Sequence, residues 1–290
     1  MKPTFLLKNA NIVDVETGTV RPDRDILVRD GMIAEIDGAH PAGSGVPTYD
    51  ARGRFVLPGL IDCHCHVLQG SSNLAGQTVL SPQYVMAKAY RIMQDMLLRG
   101  FTTIRDCGGA DFGLARAVEE GLIPGPRIVY GGKALSQTGG HGDFRPAGGY
   151  FDDQSYWAPR ISRVADGVDE VRKAARDEIR KGAHHIKMMA GGGIASPTDR
   201  IDSDQYSIEE ISAVVEEARM ANIYVIAHAY CSRTIQRAVG CGVRSIEHCA
   251  MADEDALVAI READAFMVRR WSFSRRLPRT AWRTACRKSW

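Results

Sequence analysis

Residues 54–66, Arg54-Phe55-Val56-Leu57-Pro58-Gly59-Leu60-Ile61-Asp62-Cys63-His64-Cys65-His66, decide how the rest of the chain is read. Phe55 to Leu57 form a short apolar run, a Pro-Gly turn follows, and Leu60-Ile61 resume the run, which is the pattern of a buried strand entered through a turn. The strand ends in two histidines. In an extended chain alternate side chains share a face, so His64 and His66 project to one side and Cys63 and Cys65 to the other. Two imidazoles at this spacing can hold one metal ion, and the alternation turns the thiols away from it. Polar side chains directly after an apolar strand also sit where parallel α/β proteins build their sites.

Working outward, the segment before this stretch reads as short strands with turns between them: Phe5-Leu-Leu, Ile12 to Val15, Ile26-Leu-Val and Met32 to Ile36. Asp30-Gly31 between two apolar runs is a hairpin signal. After His66 the pattern becomes alternating strands and helices. Met86, Tyr90, Met93 and Leu97 share one helical face, and Gly100 stops that helix. Strands are expected at 101–106, 127–130, 184–189, 223–228, 243–248 and 265–268, with helices between them. The helix after residue 206 starts with the capping box Ser207-x-x-Glu210. Six or seven βα units in one direction predict a parallel barrel.

In such a barrel His64, His66, Lys187, His228 and His248 all fall at the carboxyl ends of strands, on one rim. A lysine is the odd member, because an ammonium only donates hydrogen bonds and cannot ligate a metal. It must lose its charge or be chemically changed.

Hydrophobic content of 44% and charged content of 25% are those of an ordinary globular protein. No apolar run reaches the roughly 18 residues of a spanning helix, and the first residues lack signal-peptide features. Seven scattered cysteines argue against a disulfide framework. These features lead to the expectation of a cytoplasmic protein without membrane or nucleic-acid partners.

The motifs Pro58 to His66, Ser136-Gln-Thr-Gly-Gly-His141-Gly-Asp143, Ile186 to Asp199, Ala227-His-Ala-Tyr230 and Ser245-Ile-Glu-His248 together resemble the amidohydrolase superfamily. Within it the chain is most similar to the branch of imidazolonepropionase-like proteins and Xaa-Pro dipeptidases (prolidases). The resemblance implies an α/β fold, a (β/α)8 TIM-type barrel with a small β-sandwich segment. The expected divisions are 1–56 for that segment, 57–268 for the barrel and 269–290 for the tail. It also implies two divalent metal ions, usually zinc, bridged by a carbamate that CO2 forms on Lys187. His64 and His66 would hold the first ion and His228 and His248 the second.

The implied reaction is hydrolysis of the amide bond of a small molecule, a dipeptide or N-acyl amino acid, by a hydroxide shared between the metals. Tyr230 and His141 are similar to substrate-binding residues of the family: Tyr230 as donor to the developing oxyanion, His141 as partner of the substrate's carboxylate. A packed aromatic and a loop-ordering histidine are the competing roles. Arg105 and Asp106 also reach the rim. An imidazolonepropionase-like cyclic-amide hydrolase is disfavoured by Lys187, and a nucleobase deaminase by the lack of a glutamate shortly after His228.

The family also uses an aspartate after strand eight, and this chain has no acidic residue after Asp264. Residues 269–290 contain seven arginines, one lysine and three of the four tryptophans, so residues 1–268 carry 29 basic against 35 acidic side chains. The shift in composition reads as out-of-frame translation, with a genuine basic tail as the rival. The expectation is therefore an impaired hydrolase, incomplete at its C-terminus, or a non-catalytic metal-binding remnant. A homo-oligomer is left open.

Overall fold

β1 (Phe5–Val13) pairs antiparallel with β2 (Val20–Arg29), which pairs antiparallel with β3 (Met32–Ile36). The computed structural model describes residues 3–38, 45–71, 73–77, 79–149, 159–196 and 198–269. The expectations for residues 270–290 lie outside them. β4 (Thr48–Asp50) and β5 (Phe55–Val56) run parallel to β1, so this unit is a single five-stranded sheet over residues 1–59. Asp30 and Gly31 both take positive φ, 52° and 76°, as a two-residue hairpin of type I′ requires. The two strands expected at Phe5 and Ile12 are one. Asn9 takes φ 56° and the pairing slips between Leu7 and Ala10, a bulge that breaks the side-chain alternation and makes one strand read as two.

The second unit, from residue 60 on, alternates strand and helix. Its elements are β6 (Leu60–Cys65), α1 (Leu74–Gln77), α2 (Pro82–Leu98), β7 (Phe101–Asp106), α3 (Phe112–Glu119), β8 (Arg127–Tyr130), β9 (Ala134–Ser136) and β10 (Ser162–Val164). They continue as α4 (Gly167–Arg180), β11 (His185–Met189), α5 (Ile208–Met220), β12 (Tyr224–Cys231), α6 (Ser232–Gly240), β13 (Ser245–Met251), α7 (Glu254–Glu262) and β14 (Phe266–Val268). All strand pairs here are parallel: β6-β7-β8 form one sheet and β10-β9-β11-β12-β13-β14 the other. His184 N–H donates to Tyr130 O at 2.9 Å and carries the ladder from β8 towards β11. Apart from β10, which lies at the sheet edge beside β9, the strands thus follow one another in chain order, as in a TIM-type barrel.

The strand faces divide the work. Ile186, Met188, Val225, Ala227 and Ile246 join Val171, Ala175, Ile211, Val214, Ile235 and Ala238 of α4, α5 and α6 in one buried cluster. The alternate positions, Lys187 and His228 among them, point to the opposite face, the barrel interior. Gly100 and Gly182, at φ 92° and 83°, end α2 and α4 in the left-handed conformation that a side chain resists. Among the described residues no helix is long and apolar enough to cross a membrane.

One expectation is corrected. The strand of residues 54–66 is not buried along its length, because Leu60 is 45% and Ile61 63% exposed. Phe55 and Val56 belong to the first unit, and β6 has β7 as its sole partner among the described residues. Its outer edge lacks the neighbour that would cover it, and apolar content alone could not reveal this.

Candidate metal centre

Four strands (β6, β11, β12 and β13) and the two loops that hold His66 and His141 bring the predicted residues together. His64 is the penultimate residue of β6 and is buried, while His66 follows the strand and is half-buried. Their rings lie 5.4 Å apart, centroid to centroid. His248 is 4.6 Å from His64 and 4.6 Å from His228. The four imidazoles therefore form a continuous chain across the rim, from β6 over β13 to β12.

The register explains the placement on the later strands. Met189 pairs with His228, and Ala229 pairs with His248, so the end of β11, His228 on β12 and His248 on β13 lie at nearly one level. Lys187 stands two residues below the end of β11 and is 1% exposed. Burial, the neighbouring His141 and His248, and the positive charge of Lys187 hold His228 well below the usual histidine range. That favours the neutral His228 ring, which carries a lone pair.

Which nitrogen carries that pair follows from the partners. His64 Nδ1 donates to Glu247 Oε2 at 2.6 Å, His66 Nδ1 to the Gly108 carbonyl at 3.0 Å, and His228 Nε2 to the Gly192 carbonyl at 3.1 Å. Those acceptors cannot donate, so the protons sit on the named nitrogens and the other nitrogen of each ring is the acceptor. This is a donor set that fits divalent metal: preset imidazoles beside a buried lysine. A carbamate on Lys187 would replace that cation by an anionic oxygen donor.

His248 reaches the cluster through an unusual backbone. It takes φ 78° and Cys249 takes φ 47°, two left-handed residues in succession within β13. Strict alternation would place Glu247 and His248 on opposite faces, yet both meet His64. Glu247 is a residue that the sequence reading missed. It is fully buried, and its Oε1 accepts from Arg105 Nη2 at 2.7 Å and Ser245 Oγ at 2.7 Å. His64, Cys107 and Glu247 also bring ligand atoms within 4.8 Å of one another. As arranged they suit orientation better than ligation: Glu247 is engaged by Arg105, Ser245 and His64, and burial pushes the Cys107 thiol far up. Of the two rim residues noted beside the strand-two end, Arg105 serves Glu247, and Asp106 turns away to accept backbone N–H groups of Val67, Gly108 and Ala110.

Tyr230 is buried, its ring stacked on His248 at 5.1 Å and edge-on to His228 at 4.9 Å. His141 stacks on His228 at 4.1 Å. Its Nδ1 lies 2.8 Å from Ser196 Oγ, which donates in turn to Asp199. Burial, then the charges of Lys187 and His66, push His141 down to about 3. A Cβ on Gly193 would overlap the His141 ring, so only glycine leaves that ring its place. Cys63 is exposed, and Cys65 is buried with its thiol directed to Arg105 O at 3.6 Å; neither joins the histidines.

The pattern of the amidohydrolase family matches residues 55–271. The chain is similar to ochratoxinase of Aspergillus niger, 37% identical over 219 residues that make up 71% of this chain and 46% of the relative. Among solved structures it is similar to a prolidase complexed with N-methylphosphonate-L-proline, with 47% identity and a TM-score of 0.87 over 92% of this chain and 66% of that one. A Xaa-Pro dipeptidase with methionine bound in its active site follows at 29% identity and a TM-score of 0.78, over 91% and 66%. The chain thus spans about half the length of the ochratoxinase and just under two thirds of the solved dipeptidases.

Proposed function

Because the chain belongs to the amidohydrolase family, we propose that it is a metal-dependent hydrolase of the amide bond in dipeptides or N-acyl amino acids, with Xaa-Pro dipeptides as the leading class. The observation that carries the reading is the chain of four imidazoles beside buried Lys187, with three of the rings fixed through one nitrogen. Likeness to a prolidase solved with a proline phosphonate supports the prolyl preference.

His64, His66, His228 and His248, with Lys187 as its carbamate, would hold two divalent ions, zinc by the character of the donors. When bound, such ions polarise a scissile carbonyl and lower the pKa of water. The remaining work falls to the chain. The Lys187 ammonium loses one proton, its neutral Nζ attacks CO2, an N–C bond forms as one C–O π bond of CO2 opens, and a second proton leaves to solvent, so a cation inside the rim would become an anion. His141, which burial and then the Lys187 charge push down, would meet the substrate's carboxylate with Ser196 and Asp199 behind it. Tyr230 donates to the oxygen on which charge develops. Glu247 and Arg105 keep His64 in its tautomer and rotamer.

Metal analysis after dialysis, paired with chromatographic detection of proline released from Met-Pro, tests the proposal. The expected result is two equivalents of zinc on the 290-residue chain and proline release that is slow, because no acidic residue follows Asp264, and that Lys187→Ala abolishes together with metal. A chain that retains no metal, or a Lys187→Ala variant that keeps both metal and turnover, would sink it.

A further inference from the structure

Two glutamines clasp the loop of His141 to the loop that follows β11. Gln205 is buried; its Oε1 accepts from the His141 backbone N–H at 2.9 Å and its Nε2 donates to Asp199 Oδ2 at 3.0 Å. In return Gln137, at the start of the His141 loop, accepts from the Tyr206 backbone N–H at 2.5 Å. A main-chain N–H can only donate and a carboxylate accepts, so one orientation of the Gln205 amide serves both of its partners. Gly140 leaves that amide its room, because a Cβ there would stand 2.7 Å from Gln205 Oε1.

The two bonds of Gln205 bear on the ring of His141 as well as on its loop. Asp199 Oδ1 accepts from Ser196 Oγ, the hydroxyl that meets His141 Nδ1 at 2.8 Å. Asp199 Oδ2 accepts from Gln205 and, at 2.9 Å, from the Gly193 N–H, and it lies 3.7 Å from His141 Nδ1. Gln205 therefore grips His141 from two sides, at the backbone directly and at the imidazole through Asp199 and Ser196. The next residue, Gly142, is held by Ser136 Oγ, which accepts its N–H at 2.9 Å, and by Ser162 Oγ, which donates to its carbonyl at 2.6 Å. Those two serines fix the loop to β9 and β10, whereas Gln205 sets its distance from the segment that carries Asp199.

We propose that Gln205 is a positioning residue, which holds His141 at the rim and thereby confers preference for ligands with a free carboxylate. The assignment rests on the reading of His141 as the partner of the substrate's carboxylate. Without the Gln205 amide, the buried His141 N–H loses its acceptor and Asp199 Oδ2 loses one of its donors. That oxygen then draws the His141 ring inward, away from a ligand. Gln137 bonds Tyr206 and not His141, so it is the comparator for a residue that serves folding alone.

Isothermal titration of the zinc-loaded 290-residue chain with N-methylphosphonate-L-proline, and with the carboxamide that lacks its carboxylate, tests the assignment. The parent should bind the acid at least about tenfold tighter than the carboxamide, and Gln205→Met should cut that preference to about threefold or less with carboxamide affinity within about twofold of the parent. Gln205→Glu, which keeps an acceptor for the His141 N–H but opposes a like charge to Asp199, should lose preference in the same sense. Gln137→Leu should keep it. Hydrogen exchange on the metal-free chain should show the His141 amide protected in the parent and exchanging at least about tenfold faster in Gln205→Met but not in Gln137→Leu. An unprotected His141 amide in the parent, or equal loss of preference in Gln137→Leu and Gln205→Met, would overturn the proposal. So would preference kept in both Gln205 variants while His141→Asn loses it. A parent that binds both ligands alike or neither, or a His141→Asn chain that keeps the preference, would instead remove the reading of His141 itself and the proposal with it.

Discussion

Glu247 ties two parts of the rim together. One oxygen fixes His64 of β6 and the other accepts from half-buried Arg105 of β7 and from Ser245 of its own strand, while Glu247 itself is fully buried. Replacing it by glutamine keeps the shape but removes the charge that answers Arg105 and the acceptor that sets the His64 tautomer. Glu247→Gln should weaken zinc binding by roughly 10- to 100-fold, read by competition with a chelator. It should also cost on the order of 3 kcal/mol in urea unfolding because a buried charge loses its partner. Parent-like zinc affinity in a folded variant would remove Glu247 from this role. The histidines were legible in the sequence because imidazoles seldom recur by chance at one strand end after another. Glu247 was not, since alternation assigns it the face opposite His248. The left-handed backbone at His248 and Cys249 lets both reach His64, and nothing in Ser-Ile-Glu-His announces it.

Among the elements, α5 shows how local rules and tertiary contacts combine. Ser207 Oγ accepts from Glu210 N–H at 3.2 Å and Glu210 Oε2 accepts from Ser207 N–H at 2.7 Å, the capping box expected from the sequence. The same glutamate also accepts from Gly167 N–H at 2.7 Å, at the start of α4. Ser207→Ala should cost about 1 kcal/mol, and Glu210→Ala more, because it frees two N–H groups; urea midpoints compare them directly. On α4, burial works against the Asp177 carboxylate, but hydrogen bonds from Lys181 and Arg180 and the Lys181 charge hold it well below its ordinary 3.8. A depressed folded value means stability that is present above pH 3.8 and lost as pH falls through the folded value. Asp177→Asn should therefore lower stability at pH 6 and flatten the loss between pH 4 and pH 2; an unchanged slope would contradict the assignment. Helices were readable to within a residue or two because their periodicity is local, whereas burial of β6 depends on a neighbour that local sequence cannot name.

At the scale of the whole molecule, the strands of the second unit, β10 apart, run in chain order from β6 to β14, and each of those two has one strand partner among the described residues. Leu60, Ile61, Phe266 and Met267 are exposed along them. Unpaired apolar edges recruit other chains, so light scattering should detect concentration-dependent association. Ile61→Lys and Met267→Lys should each reduce it; association unaffected by both would place the contact elsewhere.

The backbone at His248 bears on how the protein would drift. Asparagine or glycine would occupy φ 78° more comfortably than histidine does. In a mutant library selected for heat resistance alone, position 248 should be among the early losses, replaced by one of those two residues. Under selection for turnover the imidazole should persist, and the contrast between the two lineages would measure how much the rim is worth to the organism that carries it.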